Sequence, residues 1–450
     1  MENTILSEKY SDFVNTKSEK IAALIDTNAP DVPKLFRGYL YPVSSWPVII
    51  NKEQSTTLNK LSKRILKLIM QIPSLYFNND EQKIAAHYFE GDTMLAQLAM
   101  MSHNKNNLSS SRLDLTYTKD GFKILEVNIG SKIGGWQVQS FIEIINDKHP
   151  LLKENYKTIN TQIKYYEFIV ENTLKQARDI DKELNIFISM EEIDDEIQKE
   201  NIINFLNKQL TITLQRKGLQ GKIYVGNLTE LNLVNNSLYL GDKRIHTVLN
   251  KSGEETTPDI FRAFLMNAIY FPDHLGIIMY KDKGNLELLR ELAENKKFSS
   301  EDNEMILKAI PWTKKIKEKE VVFNSETHNL VTLLRNHKDN FVIKAAYGYQ
   351  GKDVFIGKFC TDKQWEEAIQ LSLREEKFIA QEFSDSINFM APDVDNVWAE
   401  HKLIWGSFGF GELYGGVWVR MSALKTDVGV INSATGAVEA IVYETNSENN

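Results

Sequence analysis

The chain has 450 residues, of which 42% are hydrophobic, 25% charged and 10% aromatic, with a formal net charge of −8 at pH 7. This composition excludes a disordered or low-complexity chain, and the acidic balance makes a broad nucleic-acid-binding surface unexpected. With Cys360 as its single cysteine, the chain can form neither an internal disulfide nor a thiolate metal site. Charged residues interrupt the most apolar stretch, 261–280, which argues against a membrane span. No secretory signal is recognisable, so we expect a soluble cytoplasmic protein.

Apolar residues at helical spacing predict several helices along the chain. In the first of them, Leu58, Leu61 and Ile65 fall on one stripe. The predicted helices span 56–70, 165–184, 202–215 and 286–294. We expect each apolar stripe to pack in a core.

Strands are predicted between these helices. Residues 112–118 and 122–128 flank a Lys-Asp-Gly turn and predict a hairpin. Strands at 185–189, 222–225 and 237–240 alternate with a helix, which indicates an α/β layer. Further strands are predicted at 341–345, 353–357, 378–382, 413–421 and 429–432. The fold class is therefore mixed α/β (α+β), in three units: 1–150 with the hairpin, 151–280 with the α/β layer, and 281–450.

Two carboxylates and an amide are predicted to meet on one face of the hairpin. Glu126 and Asn128 are two residues apart in a strand and share a side, and the turn near residue 120 places Asp114 opposite residue 126. An all-oxygen cluster of this kind suits Mg²⁺. Arg112 shares the face and could neutralise charge on a transferring phosphoryl group. The alternative is a solvent-facing strand with ordinary salt bridges.

A second candidate site is the strand 341–345 with the turn that follows it. Lys344 lies in this apolar strand, and Gly348, Gln350 and Gly351 lie in the turn. Such a lysine can bind phosphate oxygens while backbone N–H groups of the turn cradle them. The pattern is neither a P-loop nor a dinucleotide fingerprint, so an ordinary turn stays open as the alternative.

Two further segments have the character of ligand-binding backbone. Gln381, Glu382 and Phe383 end a strand, and such a strand-to-loop hinge can present backbone groups to an adenine base. The alternative is a strand end with no further role. Segment 128–136 carries three glycines, which permit a close approach of the backbone to a ligand.

Together these motifs resemble those of the ATP-grasp superfamily. The run Arg112-x-Asp114, followed after twelve residues by Glu126-x-Asn128, is similar to the metal-binding motif of glutathionylspermidine synthase. These residues precede the strand of Lys344 by more than two hundred positions, an order that resembles the circularly permuted branch of the superfamily.

The resemblance implies a circularly permuted ATP-grasp fold with a Rossmann-like substrate subdomain at 151–280, and ATP and Mg²⁺ as cofactors. It implies that Asp114, Glu126 and Asn128 hold the metal, that Lys283, Lys344, Gly348, Gln350, Gly351, Gln381, Glu382 and Phe383 bind ATP, and that Arg112 and Arg420 are catalytic. Lys283 is included because it lies near a predicted helix start, and Arg420 because its segment resembles the C-terminal arginine segment of the family.

The activity implied by the resemblance is that of a carboxylate–amine ligase. A carboxylate attacks the γ-phosphate of ATP, and an amine then displaces phosphate from the acyl phosphate to form an amide. The expected partners are small-molecule or peptide carboxylates and amines, without nucleic acid or membrane, and a homodimer is the commonest default. Two alternatives stay open: a kinase of a small molecule, and a nucleotide-binding regulatory protein without turnover.

Overall fold

The computed structural model describes residues 21–150, 152–190, 195–347, 353–424 and 431–445. Helices and strands of several sheets intermix along this part of the chain, so the predicted mixed α/β class is confirmed. The helices are α1 (Lys52–Ile69), α2 (Ile72–Leu75), α3 (Glu81–Tyr88), α4 (Thr93–His103), α5 (Ile142–Lys148), α6 (Leu152–Asn155), α7 (Thr161–Gln176), α8 (Glu196–Gln215), α9 (Pro258–Leu265), α10 (Ile277–Tyr280), α11 (Asn285–Glu294), α12 (Ser300–Ala309), α13 (Leu330–Asn336) and α14 (Asp362–Glu375).

The strands are β1 (Val48–Ile50), β2 (Ser110–Thr118), β3 (Gly121–Ile129), β4 (Tyr156–Lys157), β5 (Ile186–Ser189), β6 (Ile223–Gly226), β7 (Leu231–Val234), β8 (Ser237–Leu240), β9 (Lys243–Ile245), β10 (Thr247–Asn250), β11 (Thr313–Lys315), β12 (Glu320–Phe323), β13 (Glu326–Asn329), β14 (Phe341–Ala345), β15 (Val354–Ile356), β16 (Phe378–Glu382), β17 (Phe389–Pro392), β18 (Trp398–Phe410), β19 (Leu413–Ala423) and β20 (Val438–Thr445). Within the described ranges, none of the helices combines the length and the apolar composition that crossing a bilayer requires.

Polar capping residues decide where the long helices begin. The side chain of Asn51 accepts a hydrogen bond from the Gln54 N–H, and the Gln54 side chain accepts one from the Asn51 N–H. This capping box starts α1 at Lys52, earlier than the predicted start at 56, because apolar periodicity does not detect a polar first turn. Asn160 likewise caps α7, which therefore begins before the predicted position 165.

A large central sheet combines strands from both ends of the described chain. Its order is β1-β20-β19-β18-β2-β3, with β17 paired to β18 and β4 paired to β20. Strand β18, which the sequence did not predict, pairs antiparallel with both β2 and β19 and so joins the predicted hairpin to the C-terminal strands. The predicted boundaries at 150 and 280 stay predictions.

Two glycines inside β18 explain why it escaped prediction, because glycine in a strand pattern usually marks an interruption. Here both glycines make room for neighbours. A Cβ at Gly406 would overlap the indole of Trp418, and a Cβ at Gly409 would overlap the backbone carbonyl of Ser62 in α1. Close packing on both faces of the strand therefore requires glycine at these positions.

The hairpin β2–β3 has the register that the sequence predicted. Asp114 pairs with Glu126, and Arg112 pairs with Asn128. The register then shifts, so that Leu125 has no partner on β2 and forms a bulge.

The strand that carries Lys344 lies in a second sheet, ordered β11-β16-β14-β15 and antiparallel throughout. Strands β14 and β16 have the predicted bounds. Helices α13 and α14 cover the sheet, with Phe341 and Trp365 in the shared core. The predicted phosphate-turn residues Gly348, Gln350 and Gly351 lie outside the described residues.

The middle of the chain contains a parallel sheet, β10-β5-β6, with α8 between β5 and β6. This confirms the predicted strand–helix–strand pattern. The prediction that 237–240 belongs to the layer is wrong: β8 lies in the antiparallel meander β7-β8-β9. Asn235 and Asn236 both adopt positive φ and form the tight turn that pairs β8 with β7, and β10 completes the layer instead.

Candidate functional site

The predicted site residues meet where β3 of the central sheet approaches β14 of the second sheet. Lys344 Nζ donates a hydrogen bond to the carbonyl of Leu125, the bulged residue of β3. The N–H of Lys283 donates to the carbonyl of Ala346, just after β14, at 3.1 Å. The side chain of Lys283 returns to the hairpin, with Nζ 3.7 Å from Oε2 of Glu126. Two predicted ATP lysines and one predicted metal ligand are thus brought together.

Asp114 lies between two arginines. Arg112 donates from Nε to Oδ1 at 2.6 Å and from Nη2 to Oδ2 at 2.9 Å, and Arg420 donates from Nη2 to Oδ2 at 2.8 Å. Asp114 is 5% exposed. Burial alone would raise the pKa of this carboxyl group, but the two guanidinium groups outweigh burial and hold the pKa below its ordinary value. The carboxylate therefore stays ionised, with both oxygens engaged.

The glycine-rich segment 128–136 supports this arginine pair. Gly134 accepts a hydrogen bond from Arg112 Nη1 through its carbonyl oxygen at 2.9 Å. Gly135 has a φ of 97°, and a Cβ there would overlap the indole of Trp418. Both guanidinium carbons lie over that indole, 6.0 Å from the ring centroid for Arg112 and 5.3 Å for Arg420. The close approach expected of the glycine backbone is thus made to Trp418 and Arg112.

Glu126 and Asn128 form the more open part of the site. Asn128 donates from Nδ2 to Oε1 of Glu126 at 3.0 Å, and the Glu126 side chain is 30% exposed. Carboxylate and amide oxygens are the donors that Mg²⁺ prefers, so these two residues fit a magnesium site. In the described part of the chain no three His, Cys, Asp or Glu side chains form a metal cluster. The metal role of Asp114 stays a prediction, and it would require an arginine contact to break.

Lys344 is fixed in place by polar partners. Besides Leu125 it donates to Oε1 of Gln381 at 2.9 Å, and Gln381 Nε2 donates to Thr313 Oγ1 at 3.2 Å. Burial lowers the pKa of Lys344 to about 8. The ammonium is therefore oriented but weakly solvated, which suits a ligand that brings negative charge.

In the predicted adenine hinge, residues 381–383, backbone N–H groups donate to carbonyl groups of the protein itself. Glu382 N–H donates to the Trp312 carbonyl at 2.8 Å, and Phe383 N–H donates to the Asn340 carbonyl at 2.7 Å. The Gln381 side chain holds Lys344. An adenine role for these three residues stays a prediction, and it would use carbonyl groups rather than these N–H groups.

Sequence reasoning missed two residues that shape the site. Trp418 lies two positions before Arg420 in β19 and so shares its face of the strand, a spacing that could have identified it. Leu125 acts through its backbone carbonyl at a bulge, and no residue-type pattern marks that role.

Replacing Asp114 by Asn should lower the free energy of unfolding by about 3–5 kcal/mol, because two buried guanidinium groups would lose their counter-charge. Chemical denaturation measures this change. Glu366→Gln is a matched control, since Glu366 has the same two-point contact with Arg335 and both side chains are 44% exposed. That variant should lose less than about 1 kcal/mol. Equal losses in the two variants would contradict the assigned role of Asp114.

No protein-family model matches this sequence, and no curated protein matches it significantly. Solved structures do match. A glutathione synthetase-like effector from Globodera pallida aligns with a TM-score of 0.59 and 12% identity, covering 98% of this chain and 96% of that one. A γ-glutamylcysteine synthetase-like protein from Methylobacillus flagellatus scores 0.42 at 12% identity, covering 85% and 88%.

D-alanyl-alanine synthetase A from Vibrio cholerae scores 0.25 at 12% identity, covering 51% of this chain and 68% of that one. TM-scores below 0.5 do not establish a common fold. The match to the Globodera protein does, and it extends over nearly the whole of both chains. The chain therefore has the fold of that glutathione synthetase-like protein.

Proposed function

We propose that this protein is an ATP-dependent carboxylate–amine ligase that forms an amide through an acyl phosphate and releases ADP and phosphate. The observation that carries the proposal is the convergence of Lys344, Lys283 and the Arg112–Arg420 pair on the hairpin face of Glu126. Two lysines next to Glu126 and two arginines on Asp114, its partner across the hairpin, suit a polyphosphate with a bound divalent cation. The fold shared with a glutathione synthetase-like protein supports the same class.

We further propose that the chain has the circularly permuted ATP-grasp order. The hairpin residues lie on β3, and the phosphate lysine lies on β14, more than two hundred positions later. Both strands nevertheless contribute to one site. Turn residues Gly348, Gln350 and Gly351 are proposed to cover the phosphates.

In the proposed mechanism Lys283 and Lys344 bind the α- and β-phosphates of ATP. Glu126 and Asn128 would hold Mg²⁺, which, when bound, neutralises charge on the β- and γ-oxygens. Asp114 takes a positioning role, because it fixes both guanidinium groups through its two oxygens.

The substrate carboxylate oxygen attacks the γ-phosphorus, and the bond to the β–γ bridging oxygen breaks to release ADP. Arg112 and Arg420 stabilise the negative charge on the transferring phosphoryl group. The amine then attacks the acyl carbon, phosphate leaves, and the nitrogen loses a proton to give the amide. No covalent intermediate on the protein is required.

Wild-type protein with ATP, Mg²⁺ and pooled amino acids, dipeptides and polyamines should release ADP, and mass spectrometry should find a product equal to two substrates minus water. Glu126→Gln should lower the rate at least about 100-fold, a barrier increase of about 2.7 kcal/mol. Glu301→Gln is the control: Glu301 forms an exposed ion pair with Lys60, so this variant should keep full activity.

Other outcomes separate the alternatives. A product equal to one substrate plus a phosphoryl group would indicate the small-molecule kinase. Tight ATP binding without ADP release in any pool would indicate the regulatory protein. Full activity of Glu126→Gln would contradict the site assignment. The homodimer and the cytoplasmic location stay predictions.

ATP affinity should weaken as pH rises above about 8. The pKa of Lys344 is lowered to about 8, so its amine is mostly protonated at pH 7. It loses its proton, and with it the positive charge, as the pH rises above about 8. Phosphate oxygens favour the protonated form, so ATP binding near pH 8 should take up a proton. Calorimetry in two buffers of different ionisation enthalpy measures this uptake.

Lys344→Met should abolish the proton uptake and weaken ATP binding, whereas Lys363→Met, a substitution on the surface of α14, should change neither. Undiminished uptake in Lys344→Met would show that another group titrates.

A further inference from the structure

A small cavity of about 30 Å³ lies beside the carboxyl end of the parallel sheet β10-β5-β6. Lys251, which directly follows β10, lines it together with Ser131, Trp136 and Tyr165. Ligands of open α/β sheets bind at the carboxyl ends of strands. Ser131 also lies only two residues beyond the end of β3, the strand that carries Glu126, so a segment of five residues connects the cavity to the proposed catalytic site.

The ammonium group of Lys251 is held between two aromatic rings. Its Nζ lies 5.2 Å from the ring centroid of Trp136 and 5.7 Å from that of Tyr165. Asp273 is the acid that stabilises this charge, but its oxygens already accept the backbone N–H groups of Ser131 at 2.7 Å and Asn250 at 2.9 Å. Among the described residues the ammonium therefore forms no ion pair.

Two buried hydroxyl groups also line the cavity. Ser131 Oγ and Tyr165 Oη make no hydrogen bond of full geometry within the described ranges, although they interact with each other and Ser131 Oγ also interacts with Asp273. Ser131 is 2% exposed. Buried polar atoms are nearly always hydrogen-bonded, so a ligand atom that completes their hydrogen bonds is favoured. Gln162 and Gln209 also line the cavity, beside several apolar side chains. An ammonium with two hydroxyls and two amides favours an anionic group that accepts hydrogen bonds.

The size of the cavity limits that group. A single water needs about 10–15 Å³ on this measure, so 30 Å³ admits a few atoms, such as a carboxylate, and not a whole substrate. Arg112, Glu126 and Arg420 are not among the described residues that line it. The group bound here is therefore separate from the carboxylate that reacts with ATP.

We propose that the Lys251 cavity binds a second, non-reacting carboxylate of the acid substrate, so that this substrate is a dicarboxylic acid or a short peptide with two free carboxylates. The inference rests on the proposed function, because that function places the reacting carboxylate beside the arginine pair. The cavity rejects a cationic end group, since Lys251 already occupies the aromatic faces.

The test titrates the full chain, in the presence of a non-hydrolysable ATP analogue, with linear dicarboxylates from glutarate to suberate. Monocarboxylates and diamines of matching length serve as probes of charge. Calorimetry and saturation-transfer NMR measure binding. At least one dicarboxylate should bind, at least tenfold more tightly than its monocarboxylate, and the diamines should not compete.

Lys251→Met should weaken dicarboxylate binding at least tenfold while leaving affinity for the ATP analogue unchanged. Tyr165→Phe keeps the ring and removes one hydrogen-bond donor, so it should weaken dicarboxylate binding severalfold. This second variant tests the cavity even if Lys251→Met fails to fold. Lys243→Met, an exposed lysine of the same part of the chain, is the matched control and should bind like wild type.

Equal binding by Lys251→Met and wild type, preference for a diamine, or no binding of any dicarboxylate would each overturn the inference. The proposed function fails differently. Dicarboxylate binding through Lys251 without any ATP-dependent product would contradict the ligase function. An amide formed from an acid whose binding is unchanged in Lys251→Met would contradict only this subsite.

Discussion

One buried carboxylate organises the candidate site. Asp114 receives three hydrogen bonds from Arg112 and Arg420, and the arginines come from strands that β18 holds apart and parallel in the central sheet. Removing the carboxylate, or both arginines, would leave an unpaired charge away from water. The loss of stability would be far larger than that from removing a surface salt bridge. The strand order of the sheet, the glycines that admit Trp418 and the conformation of segment 128–136 all preserve this contact.

The second constraint is the contact between the two sheets. Strand β3 is the edge strand of the central sheet, so carbonyls on its outer side have no strand partner in that sheet. The ammonium of Lys344 donates to the carbonyl of Leu125, the residue at the bulge. This contact holds the positive charge of the lysine at the residue next to Glu126 in the chain.

The cationic groups of the site differ in how fully the protein compensates their charge. Arginines paired with Asp114 provide permanent positive charge, whereas the pKa of Lys344, lowered to about 8, makes its charge sensitive to the ligand. Lys251 repeats the second situation in the neighbouring cavity, where burial also lowers its pKa to about 8. We therefore expect a substrate anion to bind at these two lysines, where the protein itself supplies little counter-charge.

The sequence alone determined the α/β class, the hairpin register of Asp114 and Glu126, and the bounds of β14 and β16, because these depend on side-chain alternation and on turn residues a few positions away. Only the tertiary structure decided that Arg420 bonds to Asp114 across 306 positions, that β18 is a strand despite its glycines, and that Lys251 faces two aromatic rings. Such contacts depend on how distant segments pack, and residue spacing carries no record of that packing.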